Sequence, residues 1–131
     1  MRIEWVAICR YAESTDAAGT TAVGLHAWLS PPVELPWEVS LALVVSFTDL
    51  TDLPGLDGLS CRVADPSGAT VYDESWPLAM EAILPDLAGA EPRHAISLGV
   101  PFTAHVPGRY EITLTGGEGA ATVGYVVQVR E

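Results

Sequence analysis

The stretch "FTAHVPGRYEITLT", residues 102–115, decides the fold. Apolar and polar residues alternate on both sides of the Pro-Gly pair at 107–108. A period of two is typical of a β-strand that buries one face. In the second half of the stretch, Tyr110, Ile112 and Leu114 fall on one side of the chain. The stretch therefore predicts two strands joined at a tight corner.

The same alternation recurs along the chain, with turn residues between the runs. The predicted strands are 2–10, 21–29, 39–48, 59–64, 69–75, 94–104, 109–115 and 122–130. About eight short strands at this spacing favour an all-β fold, an antiparallel β-sandwich. No internal repeat or linker divides the 131 residues, so one domain, 1–131, is expected.

Proline and glycine predict where the strands are interrupted. The segment "SPPVELPW" (30–37) holds three prolines, which remove amide donors, so it is not expected to be a central strand. "DPSG" (65–68) fits a type I turn and closes a hairpin, and "GGEGA" (116–120) closes another. Residues 77–92 could form a short helix near 78–84 or an irregular crossing loop.

The turn motifs carry a resemblance to a known class of domain. "PGRYEITL" (107–114) resembles the entry into a late strand of immunoglobulin-like domains, where a tyrosine hydroxyl bonds back to the loop. The layout resembles that of small bacterial immunoglobulin-like proteins. These begin with an apolar strand, carry a "DPSG"-type hairpin and end with a "PG-x-Y" corner and one last strand. The resemblance implies an immunoglobulin-like sandwich and brings no catalytic residues.

Charge and hydropathy narrow the function classes. The net charge is -11, and all six basic residues are arginines scattered along the chain. Without a basic stripe, nucleic-acid binding is not expected, and anionic lipid surfaces would repel the chain. The longest apolar run, 41–47, is too short to span a bilayer. No secretory signal follows Met1, so a cytoplasmic location is expected.

The two cysteines, Cys9 and Cys61, both fall on the apolar side of a predicted strand, and Trp5 shares the face of Cys9. A cytoplasmic protein is expected to keep both thiols reduced. Burial as small apolar side chains is the first interpretation. A disulfide across the core and a reactive thiol are the alternatives, although nothing near in sequence would lower a thiol pKa.

Chemistry-bearing residues are sparse. The loop residues Asp49, Asp52 and Asp57 could supply oxygen ligands to calcium, but their spacing does not match the usual calcium loop. His105 lies beside the Pro-Gly corner without a nearby acid or nucleophile to orient it. No nucleophile elbow or metal-binding histidine pair is present. The sequence therefore predicts neither an enzyme nor a cofactor.

Three tryptophans are candidates for a binding surface: Trp28, Trp37 and Trp76. Tryptophan is enriched among residues that anchor protein interfaces. Val6, Ile8 and Val44 also lie on nominally outward faces, so something is expected to cover them, either residues 77–92 or another chain. Intramolecular packing is the alternative explanation for the tryptophans.

The leading hypothesis is a non-enzymatic interaction or structural module that binds a protein partner or itself. The alternative is a β-sandwich that binds a small ligand or calcium through the 49–57 loop. An enzyme whose site assembles from distant residues is the third hypothesis.

Overall fold

A computed structural model describes residues 2–15, 19–48, 58–76, 94–116 and 119–130. In these residues the chain is all-β and contains no helix. The strands are β1 (Arg2–Cys9), β2 (Tyr11–Thr15), β3 (Gly19–Val23), β4 (Trp37–Thr48), β5 (Leu59–Ala64), β6 (Thr70–Trp76), β7 (His94–Ala104), β8 (Gly108–Gly116) and β9 (Gly119–Val127). Residues 77–92, which the sequence predicts to be a short helix or an irregular loop, lie outside the described residues.

The strands form two larger sheets and a separate hairpin. One sheet has the order β1-β4-β7 and the other the order β6-β5-β8-β9, while β2 pairs only with β3 in the described part of the chain. Every pair of these strands is antiparallel. The predicted all-β fold with antiparallel sheets is thus confirmed. No helix among the described residues has the length and apolar character needed to cross a membrane.

One hydrophobic core receives side chains from both sheets. Leu43 and Phe47 of β4 and Ile112 of β8 are fully buried in it. The rings of Phe102 and Tyr110 are 5.3 Å apart, so β7 and β8 meet inside the same core. Burial of apolar area on this scale is the main source of stability for a chain of this length.

The corner between β7 and β8 turns the chain, as the sequence predicts. The Tyr110 hydroxyl donates a hydrogen bond to the Val106 carbonyl oxygen at 2.7 Å. Gly108 adopts a φ of 124°, which disfavours any residue with a Cβ. Burial raises the pKa of Tyr110, so its hydroxyl stays protonated as a donor at neutral pH. His105 is exposed beside the corner.

Substitution of Tyr110 by phenylalanine tests this corner. The variant keeps the buried ring and loses the hydrogen bond to Val106, so we expect the free energy of unfolding to fall by about 1–2 kcal/mol. Urea denaturation of the two proteins measures the change. Tyr11→Phe is the matched control, since the exposed Tyr11 hydroxyl bonds only Glu13 and its loss should be within about 0.5 kcal/mol of neutral. Equal losses in both variants would contradict the corner's role.

A single strand over 21–29 is a wrong prediction. Residues 11–15 and 19–23 instead form the antiparallel pair β2 and β3, which brings the described strands to nine rather than about eight. Gly24 and His26 both have a positive φ, 68° and 63°, which ends β3 at Val23. Left-handed backbone cannot continue a strand.

The predicted orientation of β1 is also wrong. The pairing register of β1 with β4 shifts between Ile3 and Trp5, which marks a β-bulge. A bulge moves every later side chain to the opposite face. Consequently Trp5, placed in the core by the sequence, is 42% exposed, whereas Ile8, placed on the outer face, joins the core. Val6 also packs against the core.

The turn over 65–68 is confirmed in detail. The Gly68 amide donates to the Asp65 carbonyl at 2.9 Å, and Gly68 has a φ of 90°. The Asp65 carboxylate accepts bonds from the Ser67 hydroxyl and amide and from the Ala69 amide. These bonds, that from the Ser67 hydroxyl foremost, hold the pKa of Asp65 below its usual value. The turn thereby closes the β5–β6 hairpin.

Candidate interaction surface

Exposed apolar side chains concentrate where the chain leaves β3. Val23, Leu25, Trp28 and Leu29 have exposed fractions of 56%, 52%, 56% and 45%. Tyr11 is 53% exposed and lies directly opposite Val23 in the β2–β3 register. We call these five residues the Trp28 surface. Single exposed apolar residues are ordinary, whereas exposed apolar residues that form a contiguous patch are typical of a binding site.

Backbone hydrogen bonds hold residues 27–30, which include Trp28 and Leu29, to both large sheets. The Ala27 amide donates to the Ile8 carbonyl of β1 at 3.0 Å. The Val126 amide donates to the Trp28 carbonyl at 2.7 Å, and the Ser30 amide donates to the Val126 carbonyl at 2.8 Å. The segment therefore runs parallel to the end of β9, and its exposed side chains stand on a fixed backbone.

A second set of contacts extends this attachment toward the end of the chain. Val33 pairs in parallel with Val129, and the Ser30 hydroxyl accepts from the Gln128 amide at 3.0 Å. The Gln128 side-chain amide donates to the Ser30 carbonyl at 2.6 Å. The proline-rich segment 30–37 is thus extended and paired by isolated bridges, which agrees with the prediction that it is no central strand.

Trp28 is the most prominent member of the surface. Trp28 lines a shallow cavity of about 170 Å³ together with His26, Val123 and Gly124. The Trp28 amide donates to the His26 carbonyl at 2.9 Å, which closes a tight turn around Ala27. Backbone strain of this kind, with His26 in the left-handed region, collects at functional sites. An exposed indole on a tight turn suits contact with another molecule better than core packing.

The other two tryptophan candidates lie elsewhere and are less exposed. Trp37 begins β4 and Trp76 ends β6, and both are partly buried against the hydrophobic core. Among the described residues, neither Trp37 nor Trp76 lines the cavity beside Trp28. Trp28 is therefore the tryptophan that the fold presents most openly.

The predicted calcium ligands Asp49, Asp52 and Asp57 lie outside the described residues, so the calcium hypothesis stays a prediction. Within the described residues, no three histidine, cysteine, aspartate or glutamate side chains come together as a metal site. His26 and His105 are both exposed, at separate turns.

Both cysteines are buried free thiols, so the disulfide alternative is wrong. Cys61 faces the core, where burial raises its pKa to about 11. Cys9 follows the β1 bulge, lies opposite Ala42 in the register with β4, and is on the other face of its sheet. Burial raises the pKa of the Cys9 thiol as well. Thiols with a raised pKa are weak nucleophiles at neutral pH, which disfavours the reactive-thiol alternative.

The chain matches no known protein-family model, and it has no significant match among curated proteins.

Sequence reasoning identified Trp28 but missed the rest of the surface. The alternation over 21–29 predicts that Val23, Leu25 and Leu29 share one face of a strand, so it gives no sign of their exposure. Gly24 was the available signal, since an isolated glycine within such a pattern often marks an interruption. Tyr11 carried no signal, because its exposure depends on the hairpin.

Proposed function

We propose that this chain is an immunoglobulin-like β-sandwich that serves as a non-enzymatic interaction module and binds a protein partner through the Trp28 surface. The observation that carries the proposal is the exposed Trp28, held on a backbone that is hydrogen-bonded to β9 and flanked by further exposed apolar residues.

The strand order supports the immunoglobulin-like assignment. In such domains one sheet contains strands B and E, and the other contains C, F and G with added strands beside C. Here β4 pairs with β7, and β5, β8 and β9 lie in the second sheet with β6 at its edge. Tyr110 near the start of β8 bonds back to Val106, four residues upstream, as the tyrosine corner of these domains does. The same features support the proposal that the chain resembles small bacterial immunoglobulin-like proteins.

The composition of the surface supports a protein partner. Interface centres are enriched in tryptophan and tyrosine, which supply large contact areas at a low entropic cost. The Trp28 surface contains both residue types among aliphatic neighbours. Its fixed backbone means that little ordering would oppose binding.

The net charge favours a basic partner over a second copy of the chain. Two copies would each carry a charge of -11 and repel each other at low ionic strength. A partner with basic residues around an apolar centre would instead be steered toward this protein. Association with such a partner is expected to weaken as salt is added.

Trp28→Ser is expected to weaken partner binding at least tenfold, since truncation of an interface anchor typically costs about 2 kcal/mol or more. Affinity capture from host lysate with the tagged wild type and variant, followed by titration of the captured protein, measures the change. Light scattering on the purified chain at rising concentration reports self-association in parallel. A homodimer that Trp28→Ser disrupts would make the second copy the partner.

Val106→Ser is the matched control. Val106 is 42% exposed at the corner between β7 and β8, and its hydrogen bond uses only the carbonyl oxygen. The control should bind as the wild type does. A chain that stays monomeric and captures nothing sensitive to Trp28→Ser would contradict the proposal, as would equal losses in both variants.

A further inference from the structure

A second feature, separate from the Trp28 side chain, is a half-open cavity of about 490 Å³. It lies where the end of β1, the middle of β4 and β9 approach one another under the segment 27–31. Both large sheets contribute to its wall, β4 through Leu41 and β9 through Tyr125. The volume is within the range of pockets that hold small molecules.

The wall of the cavity is apolar on its inner side. Ile8 and Leu41 belong to the hydrophobic core, and Leu29 contributes its exposed side chain near the entrance. The apolar tail of a ligand that enters the cavity would leave water and contact a surface from which water is already excluded. The ligand must therefore have an apolar part.

Three residues on the same wall have side chains that can donate hydrogen bonds, and the first two of them are exposed: Arg10, Ser40 and Tyr125. The remaining hydroxyl, that of Ser30, is already engaged with Pro31 and Gln128. Burial raises the pKa of Tyr125, so its hydroxyl is a donor at neutral pH. A ligand that supplies hydrogen-bond acceptors would therefore find several donors on one wall of the cavity.

Arg10 is the only charged residue on the described wall, and it is positive in a chain of charge -11. Its side-chain carbons lie against Gly24, where an added Cβ would come within 2.8 Å of the Arg10 Cγ. The absence of a side chain at Gly24 thus leaves room for Arg10 at the rim. Guanidinium groups bind carboxylates through paired, charge-assisted hydrogen bonds.

We infer that this cavity binds a small apolar monocarboxylate, with the carboxylate beside Arg10 and the apolar chain against Ile8 and Leu41. The site goes beyond the proposed protein interaction and does not depend on it. Leu29 belongs to both regions, but the ligand site requires Arg10 and the partner site requires Trp28.

Hexanoate is the test ligand, and 1-hexanol is its uncharged counterpart of the same chain length. In nitrogen-15 amide spectra we expect hexanoate to shift the signals of residues around the cavity, with saturation. Hexanol should bind about tenfold more weakly or worse, because a hydrogen bond to a charged group is worth about 1.5–3 kcal/mol. No shift up to about 10 mM hexanoate, tenfold above a millimolar Kd, would overturn the inference.

Arg10→Gln should weaken hexanoate binding at least tenfold and remove the preference of the site for hexanoate over hexanol. Arg10→Lys should keep part of this preference. Arg109→Gln is the matched control, since Arg109 lies on β8 beside Glu111 and away from the cavity wall. The melting temperature of each free variant checks that it is folded. Equal affinity of hexanoate for the wild type and Arg10→Gln, or equal losses in both glutamine variants, would overturn the site.

Trp28→Ser separates the two proposals. It should leave the affinity for hexanoate unchanged while it weakens binding of the protein partner. Arg10→Gln should leave folding intact while it weakens binding of hexanoate. Loss of hexanoate binding in Trp28→Ser, with Arg10→Gln unaffected, would assign the ligand to the Trp28 surface and overturn the cavity site.

Discussion

Replacement of Phe47 by alanine is expected to lower the free energy of unfolding by about 3–5 kcal/mol, the largest loss of any change considered for this chain. Phe47 is fully buried on β4 and lies within the core shared by the two large sheets. Its removal costs the transfer of the ring from water and leaves a cavity that the packed strands cannot close. Guanidinium denaturation measures the loss, and the slope of the unfolding free energy against denaturant concentration should be the same in both proteins.

Trp5→Ala is the matched aromatic control. Trp5 is 42% exposed because the β1 bulge turns it away from the core, so its loss should stay under about 1 kcal/mol. If β1 ran without a bulge, Trp5 would lie in the core and its removal would cost as much as that of Phe47. Similar losses for the two variants would therefore contradict the register of β1.

Gly108→Ala is expected to cost about 2–4 kcal/mol, for two reasons that act together. The φ of Gly108 is 124°, a conformation that a residue with a Cβ rarely adopts. An added Cβ would also lie 2.9 Å from the Pro66 Cγ, in the turn of the neighbouring hairpin. Because both obstacles lie in backbone or ring atoms, side-chain motion cannot relieve them. Thermal and urea unfolding both measure the effect.

Gly99→Ala is the corresponding control. Gly99 lies within β7, and nothing comes within 4 Å of a Cβ added there. The substitution should change stability by less than about 0.5 kcal/mol, or stabilise the protein slightly, because alanine loses less entropy than glycine on folding. A loss at Gly99 equal to that at Gly108 would show that the strain at the corner is not the cause.

The two proposed sites follow from one structural event, the end of β3 at Val23. Because the chain turns there through Gly24 and His26, Trp28 is presented outward and the segment after it covers the cavity beside Leu41. Loops held on a rigid scaffold are where proteins most often place binding residues. The proposed interaction surface and the proposed ligand cavity share Leu29, but the first requires Trp28 and the second requires Arg10.

The amino-acid sequence by itself determined the all-β class and much of the strand layout. The bounds of β5 and β7, the turn at 65–68 and the corner at 107–108 are local properties. They depend on alternation along a strand and on proline or glycine at a bend, which a single stretch of chain expresses completely. The buried Tyr110 and its bond to the corner follow from the same local pattern.

The tertiary structure alone decided which faces are buried and what the exposed residues can do. The β1 bulge reverses Trp5 and Ile8 because pairing with β4, not the alternation within β1, sets the register. The exposure of Trp28 depends on hydrogen bonds to β9, nearly a hundred residues away in the chain. The close approach of Gly108 to Pro66 joins two turns that the sequence presents separately. Such contacts depend on partners distant in sequence, and no local period encodes them.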